Sequence, residues 1–196
     1  MIKKPNNWNE VKEFADRPKL PLGAYVCRVK KAAVQDNGYG DQLCILFDIA
    51  EGDWRGFYKE EYADNQQKDK KWKGVLRVWL PKDDGSEKDE LTKRTLKGFI
   101  TAFEKSNPGF QWNWDETALV GKYVGILYRN EEWEFKDKTG WAARPFRAIS
   151  ADKARSGDYT LPKDKPLKNK TEDSYGSDAY AAEYAKLEDD DSELPF

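Results

Sequence analysis

The sequence predicts a mainly β domain in which one helix separates the third strand from the last two. Short runs of alternating apolar residues predict five strands, and turn-forming residues separate most of these runs. One longer stretch, beginning near residue 86, instead has the spacing of an amphipathic helix. The order of these signals along the chain is strand, strand, strand, helix, strand, strand.

The first two strands are predicted to form a hairpin. Alternation begins at Leu22, and Asn37-Gly38 follows as the strongest dipeptide signal for a tight turn. In the second strand, one face carries four apolar residues, whereas Cys44 and Leu46 lie on the other face. Apolar residues on both faces indicate that this strand is buried on both sides.

The third strand is predicted over residues 74–80, and the helix follows it. Ser86 with Asp89 three residues later is a typical helix N-terminus, and the helical spacing continues to about residue 105. Residues 54–73 are rich in charged and aromatic side chains but lack a clear period. These signals do not assign a helix or a strand to that segment.

The last two strands are predicted over residues 122–129 and 142–150, with residues 131–140 as an extended hairpin between them. Five strands with one helix between the third and the fourth is the layout of the OB-fold barrel. The predicted fold class is therefore a five-stranded OB-fold-like barrel. Such barrels bind oligonucleotides or oligosaccharides across the second and third strands, so the layout favours a ligand of one of these classes.

Charge divides the chain into a basic body and an acidic tail. The whole chain has a net charge of −2, but residues 170–196 contain two lysines and nine acids, a net charge of −7. The preceding residues therefore carry +5. A basic body suits a polyanionic ligand, which would repel the tail. We expect the tail to be disordered, because its composition offers little apolar surface to bury.

Several classes of protein are disfavoured by composition. The chain has no histidine, which excludes Ser-His-Asp triads and histidine-containing metal sites. Cys27 and Cys44 lie in apolar runs and indicate buried thiols in a reducing compartment. No signal segment or membrane-spanning stretch is recognisable, so we expect a soluble, cytoplasmic protein without a cofactor. Paired acids such as Glu60-Glu61 lack a supporting catalytic pattern and indicate solvated charge.

The strongest local signal is the sequence of residues 187–196, Leu-Glu-Asp-Asp-Asp-Ser-Glu-Leu-Pro-Phe. Here the chain resembles the bacterial and bacteriophage single-stranded DNA-binding proteins, which end in a run of acids followed by a short apolar tip. The resemblance implies that the tip enters an apolar pocket rimmed by basic residues on replication, recombination or repair proteins, with the acids steering the approach. The implied partner-binding residues are Asp189, Asp190, Asp191, Leu194, Pro195 and Phe196.

Aromatic residues next to cations are the second signal. Rings can stack on the bases of a single strand, and cations can contact its phosphates. This pattern predicts the DNA-binding residues Tyr58, Lys59, Trp72, Lys73, Arg77 and Trp79, and it recurs at Tyr128-Arg129. Arg77 and Trp79 share the face of the third strand opposite the core. The alternative for Trp79 is packing beneath the N-terminal segment.

A third aromatic cluster is predicted around the hairpin that joins the last two strands. It comprises Trp133, Phe135 and Trp141, and in OB-folds this loop often closes over the ligand. The alternatives are that the hairpin packs these rings against the barrel or uses them in a contact between copies of the chain. Formation of a homo-oligomer is left open by the sequence.

The predicted function is non-catalytic coating of single-stranded DNA during replication, recombination or repair. Residues 1–152 are predicted to form the DNA-binding domain, 153–186 a flexible linker and 187–196 the partner-binding tip. One alternative is an OB-fold module for another ligand, an oligosaccharide or RNA. Another is a metal-dependent nuclease that uses scattered Asp and Glu, although no supporting constellation with Lys is recognisable.

Overall fold

The computed structural model describes residues 2–10, 18–136 and 138–167. The five strands are β1 (Ala24–Asp36), β2 (Asp41–Ile49), β3 (Val75–Trp79), β4 (Tyr123–Phe135) and β5 (Lys138–Ile149). The helices are α1 (Phe57–Asp64), α2 (Glu87–Ser106) and α3 (Ala151–Ser156), with a 3-10 helix at Glu116–Leu119. The mainly β class and the position of the long helix between the third and fourth strands are confirmed.

The strands form one antiparallel sheet in the order β3-β2-β1-β4-β5. The first strand pairs with β2 and with β4, so it is the central strand. In the described part of the chain, β3 and β5 are the two ends of the sheet, which is therefore not closed by a hydrogen-bonded ladder. The structure shows an open five-stranded sheet; closure into a barrel is not shown.

The core lies on the inner face of this sheet, beneath α2. The helix contributes Leu96, Phe99 and Phe103 to the same apolar cluster as Ile45 and Phe47 of β2. All residues from 42 to 49 are buried, so the prediction that the second strand is buried on both faces is confirmed.

Residues 54–73, for which no element was predicted, contain α1 and the loop that follows it. The only buried side chain of α1 is Tyr58, whose hydroxyl group lies 2.7 Å from that of Tyr128 in β4. Burial raises the pKa of Tyr58 and the pKa of Tyr128 well above their ordinary values. The two phenols therefore form a protonated, hydrogen-bonded pair inside the core.

A glycine allows β3 to begin against β2. The carbonyl oxygen of Gly74 accepts a hydrogen bond from Phe47 N–H at 2.8 Å, and the indole N–H of Trp72 donates to Phe47 O at 2.9 Å. A Cβ atom at Gly74 would overlap the Phe47 carbonyl oxygen and would lie 2.7 Å from the Tyr58 ring. The close approach of the two backbones therefore requires glycine.

The N-terminus of α2 holds the loop that leaves β3. The Ser86 hydroxyl accepts a hydrogen bond from Asp89 N–H, which confirms the predicted cap. The buried Asp89 carboxylate accepts hydrogen bonds from the N–H groups of Lys82 and Asp83, and Lys93 Nζ lies 3.0 Å from it. Burial acts to raise the pKa of Asp89, but these hydrogen bonds outweigh burial and lower the pKa below its ordinary value.

We expect Asp89→Asn to lower the thermal midpoint of unfolding near neutral pH. Because the folded-state pKa of Asp89 is lowered, its carboxylate stabilises the fold above about pH 4, and this stabilisation is lost as the pH falls through the folded-state pKa. The difference between wild type and variant should therefore close on acidification, as followed by thermal melts. Glu90→Gln alters a more exposed partner of Lys93 and should change little. An Asp89→Asn difference that does not shrink as the pH falls would contradict this account.

Residues 151–167 pack against the sheet, although the sequence assigned 153–167 to a linker. Ala151 of α3 is fully buried. Further along, Lys165 N–H donates to Asn130 O, and Glu132 N–H donates to Lys165 O, both at 2.9 Å. The chain thus returns to β4 through backbone hydrogen bonds. Amino-acid composition, on which the linker was predicted, does not indicate such bonds. The remainder of the predicted linker, 168–186, lies outside the described residues.

Beyond its pairing with β1, which ends at Leu127, β4 continues with β5 as a long hairpin. We call residues 129–144 the hairpin arm. No helix among the described residues is both long and apolar enough to cross a bilayer.

Candidate nucleic-acid interface

The outer face of β1, β2 and β3 carries three rows of side chains that lie side by side across the strands. Residues paired in antiparallel strands point to the same side of a sheet, so the pairing register defines each row. The rows are Lys31–Leu46–Val75, Ala33–Cys44–Arg77 and Gln35–Gln42–Trp79. We call these nine residues the outer strip.

The outer strip is uncharged in the middle and carries a cation on each side, Lys31 from β1 and Arg77 from β3. Its central members from β2 are buried, whereas Lys31 and Arg77 are exposed and Trp79 is half-buried. None of its nine positions is acidic. An uncharged floor between two cations can accept bases while the cations contact phosphates.

A β-bulge decides which lysine joins the strip. The pairing register of β1 shifts between Val29 and Lys31, so Lys30 is the extra residue and Lys31 lies opposite Leu46. The sequence did not single out either lysine, because a bulge is not visible in the alternation of side chains. Lys31 is therefore a candidate site residue that sequence reasoning missed.

The Trp79 end of the strip lies beside the β1–β2 turn. The Asn37-Gly38 hairpin is confirmed, and the turn leaves Tyr39 more than half exposed. A Cβ at Gly40 would lie 3.0 Å from Lys82 Cε and 3.7 Å from the Trp79 ring. The bare backbone of Gly40, at a φ of 151°, thus leaves room for the lysine and the indole ring beside the turn. Tyr39 and Lys82 extend this end of the strip by an aromatic ring and a cation.

The opposite end is formed by a row that crosses from β4 to β2. Tyr123, Arg28 and Asp48 are cross-strand neighbours on the outer face. The Arg28 guanidinium carbon lies 5.9 Å from the centre of the Tyr123 ring, and Arg28 Nε donates to Gly121 O at 3.1 Å. The sequence could not indicate this row, because it depends on pairing between strands about a hundred residues apart.

Asp48 does not place an exposed negative charge in this row. It is buried, and one of its oxygens accepts hydrogen bonds from the N–H groups of Ile49 and Tyr58. Burial raises the pKa of Asp48, against the lowering effect of these hydrogen bonds and of Lys30. Arg28 and Tyr123 therefore supply the accessible groups at this end.

Two of the predicted stacking residues are built into the fold instead. Tyr58 is only 5% exposed and cannot stack on a base, so that prediction is wrong. Trp72 is half-buried, donates to Phe47 O and lies against Tyr62, with ring centres 5.8 Å apart. Their neighbours are exposed: Lys59 faces solvent, and Lys73 Nζ lies 2.7 Å from Glu61. An aromatic–lysine dipeptide therefore does not by itself identify a surface ring.

The three predicted aromatic residues of the hairpin arm do not share one face. Trp133 pairs with Gly140, and Trp141 pairs with Glu132, so the two indole rings lie on opposite faces. Trp133 covers its partner, since a Cβ at Gly140 would lie 2.7 Å from the Trp133 ring. Phe135 shares the face of Trp133 and is 66% exposed. The three rings, which were predicted to form one cluster, therefore lie on two opposite faces of the hairpin arm.

A buried glutamate and the cations around it hold the base of the hairpin arm. Glu131 is 9% exposed, forms an ion pair with Arg129 and has Lys165 Nζ 3.9 Å away. Arg129 also stacks over the Phe146 ring at 4.3 Å. In the Tyr128-Arg129 pair, Tyr128 is fully buried, and Arg129 forms the ion pair at the base of the hairpin arm. Neither residue is placed for binding a strand on the outer strip.

The described part of the chain contains no group of three or more His, Cys, Asp or Glu residues that could hold a metal ion. No protein-family model and no curated protein sequence matches the chain. The six residues implied as partner-binding, Asp189, Asp190, Asp191, Leu194, Pro195 and Phe196, lie outside the described residues.

Proposed function

We propose that this protein binds single-stranded DNA along the outer strip without strong sequence preference. The observation that carries the proposal is the run of accessible side chains on one face of the sheet: Trp79 and Arg77, then Lys31, then Arg28 and Tyr123. Rings lie at both ends, and three cations lie between them. Stacking on rings tolerates any base, and phosphate contacts do not depend on sequence.

The connectivity of the sheet supports this proposal. In an OB-fold, a five-stranded and partly open barrel, ligands lie across the second and third strands and the neighbouring loops. Here β1 pairs with both β2 and β4, α2 connects β3 to β4, and the outer strip covers β2 and β3. We therefore propose an OB-fold-like arrangement in which the bound DNA strand lies across β2 and β3, as ligands do in that fold.

The acidic end of the chain supports a second role as a recruiting arm. Residues 188–193 contain five acids, and Leu-Pro-Phe follows them. An apolar tip next to a run of acids suits an apolar pocket with a basic rim, and the acids would speed the encounter. We propose that this tip binds replication, recombination or repair proteins while the sheet holds the DNA.

Titration of a labelled oligo-dT at several salt concentrations, followed by fluorescence anisotropy, tests the DNA proposal. If Arg28, Lys31 and Arg77 each neutralise a phosphate, the affinity should fall about 20-fold between about 50 and 200 mM salt. Mixed-sequence DNA should bind with similar affinity. A flat salt response, tight preference for one short sequence or stronger binding to a neutral oligosaccharide would contradict the proposal.

The same titration with a chain ending at Leu187 separates the two roles. The truncated chain should bind DNA equally well or slightly more tightly, most visibly at low salt, because it lacks the repulsion between the acids and the phosphates. It should also lose the capture of purified replication or repair proteins. Loss of DNA binding with partner capture intact would refute this division of roles.

A further inference from the structure

Two tryptophans in the loop between α2 and the 3-10 helix form an exposed ledge. The rings of Trp112 and Trp114 have centres 5.2 Å apart and planes inclined by 36°. Trp114 is 72% exposed, although an indole ring is among the most apolar of side chains. An exposed indole face at the edge of a folded domain can stack on a base.

The ledge is held in place by hydrogen bonds. Trp112 N–H donates to Glu104 Oε1 at 3.3 Å, and its indole N–H donates to Asp115 O at 2.7 Å. Asp115 in turn caps the 3-10 helix by accepting from Thr117 N–H. Trp112 also packs against the core. The Trp114 ring is thus presented by a braced loop, which lowers the ordering cost of binding.

The backbone of Trp114 is strained in a way that packing does not explain. Its φ is 68°, in the left-handed region that bulky residues rarely adopt. Burial cannot be the compensation, since most of the side chain is exposed. Strain of this kind is concentrated at functional sites, where the conformation serves a ligand.

The loop begins and ends beside the Tyr123 end of the proposed DNA path. At its start, Asn107 donates to Tyr123 O at 2.8 Å and accepts from Tyr123 N–H at 3.0 Å. At its end, Gly121 accepts from Arg28 Nε, and Gly121 N–H donates to Val29 O. Lys122 follows, and its Nζ lies 4.7 Å from the centre of the Phe110 ring. The loop that carries the two indole rings is thus anchored at both ends beside Arg28 and Tyr123, and Lys122 adds a cation there.

We infer that Trp112 and Trp114 form an additional base-stacking site, which receives the nucleotides of a bound single strand that extend past Tyr123. The inference rests on the proposed function, and it adds a site on a loop at the end of the sheet. Lys122 supplies a cation for the phosphate backbone at this site, and Trp114 supplies the stacking face. The site predicts that long strands gain affinity that short strands lack.

An oligo-dT series from about 4 to about 16 nucleotides, measured by anisotropy with Trp114→Asn, tests this inference. Asparagine removes the ring but tolerates the left-handed backbone, so the fold is retained. The loss of one stacked base should weaken binding of the longest oligonucleotides about 5- to 150-fold and leave the shortest ones unchanged. Trp114→Tyr keeps a ring and should restore most of the lost affinity.

Trp8→Asn is the matched control, because Trp8 is also more than half exposed but lies in the N-terminal segment. It should bind all lengths like wild type. Equal affinity of Trp114→Asn and wild type at every length would overturn the inference while the proposed function stands. An equal loss at all lengths that Trp114→Tyr does not restore would also overturn it. Failure of the wild type to bind oligo-dT of any length would refute both the inference and the proposed function.

Discussion

Trp79→Ala is expected to weaken binding of single-stranded DNA about 5- to 150-fold, the loss that corresponds to one stacked base. The indole ring is half-buried at the end of an edge strand, where it lies on the same face as Arg77. Anisotropy titration with a short oligo-dT measures the effect, and a thermal melt checks that the variant is folded. Unchanged affinity in a folded variant would exclude Trp79 from the interface.

Arg77→Gln distinguishes stacking from charge within the same strip. It removes one phosphate contact, so it should lower the slope of log affinity against log salt by about 0.7 and weaken all sequences alike. Trp79→Ala should leave that slope close to the wild-type value, because the ring contacts bases. A reduced slope for Trp79→Ala, or an unchanged slope for Arg77→Gln, would contradict the assigned roles.

Gly74→Ala is expected to destabilise the fold by about 2–4 kcal/mol. The added methyl group would overlap the Phe47 carbonyl oxygen, a backbone atom that cannot move without breaking the start of the β2–β3 pairing. Urea unfolding followed by circular dichroism measures the change. DNA affinity should fall as well, since β3 carries Arg77 and Trp79.

Gly98→Ala is the matched control for this substitution and should change stability in the opposite direction. Gly98 lies on the exposed side of α2, and no atom beyond its chain neighbours and the local helix backbone lies within 4 Å of where its Cβ would be. Alanine there should stabilise the protein by about 0.5–1 kcal/mol, because it lowers the entropy of the unfolded chain and favours the helix. Similar destabilisation by both variants would show that close approach is not what requires glycine at position 74.

The strand β3 and the helix α2 could be predicted because each has a periodic pattern of burial, with alternate residues buried in β3 and with Leu96, Phe99 and Phe103 at helical spacing in α2. The strand β2 could be predicted because it is a short, continuous apolar run that is buried on both faces. The helix α1 has no such pattern, since only Tyr58 among its eight residues is buried. Phe57 beside it is partly buried against the core, and two adjacent side chains leave no helical period in the sequence.

The candidate site could be predicted only within one strand. The shared face of Arg77 and Trp79 follows from alternation alone, and the structure agrees. The contributions of Lys31, Arg28 and Tyr123 depend on a bulge and on long-range pairing, which a single sequence does not show. For the same reason, Trp141 could not be placed relative to Trp133, because its face depends on the register across the turn.

The pairing of Lys165 with β4 also bears on the solubility of the protein at high local concentration. Where β1 and β4 separate, the side of β4 that faces away from β5 would offer unpaired N–H and C=O groups, and such edges template association between chains. Lys165 occupies the carbonyl group of Asn130 and the N–H group of Glu132. That stretch of edge is therefore closed to strands of neighbouring molecules. Copies of the chain at high local concentration would be protected there from aggregation through edge-to-edge pairing.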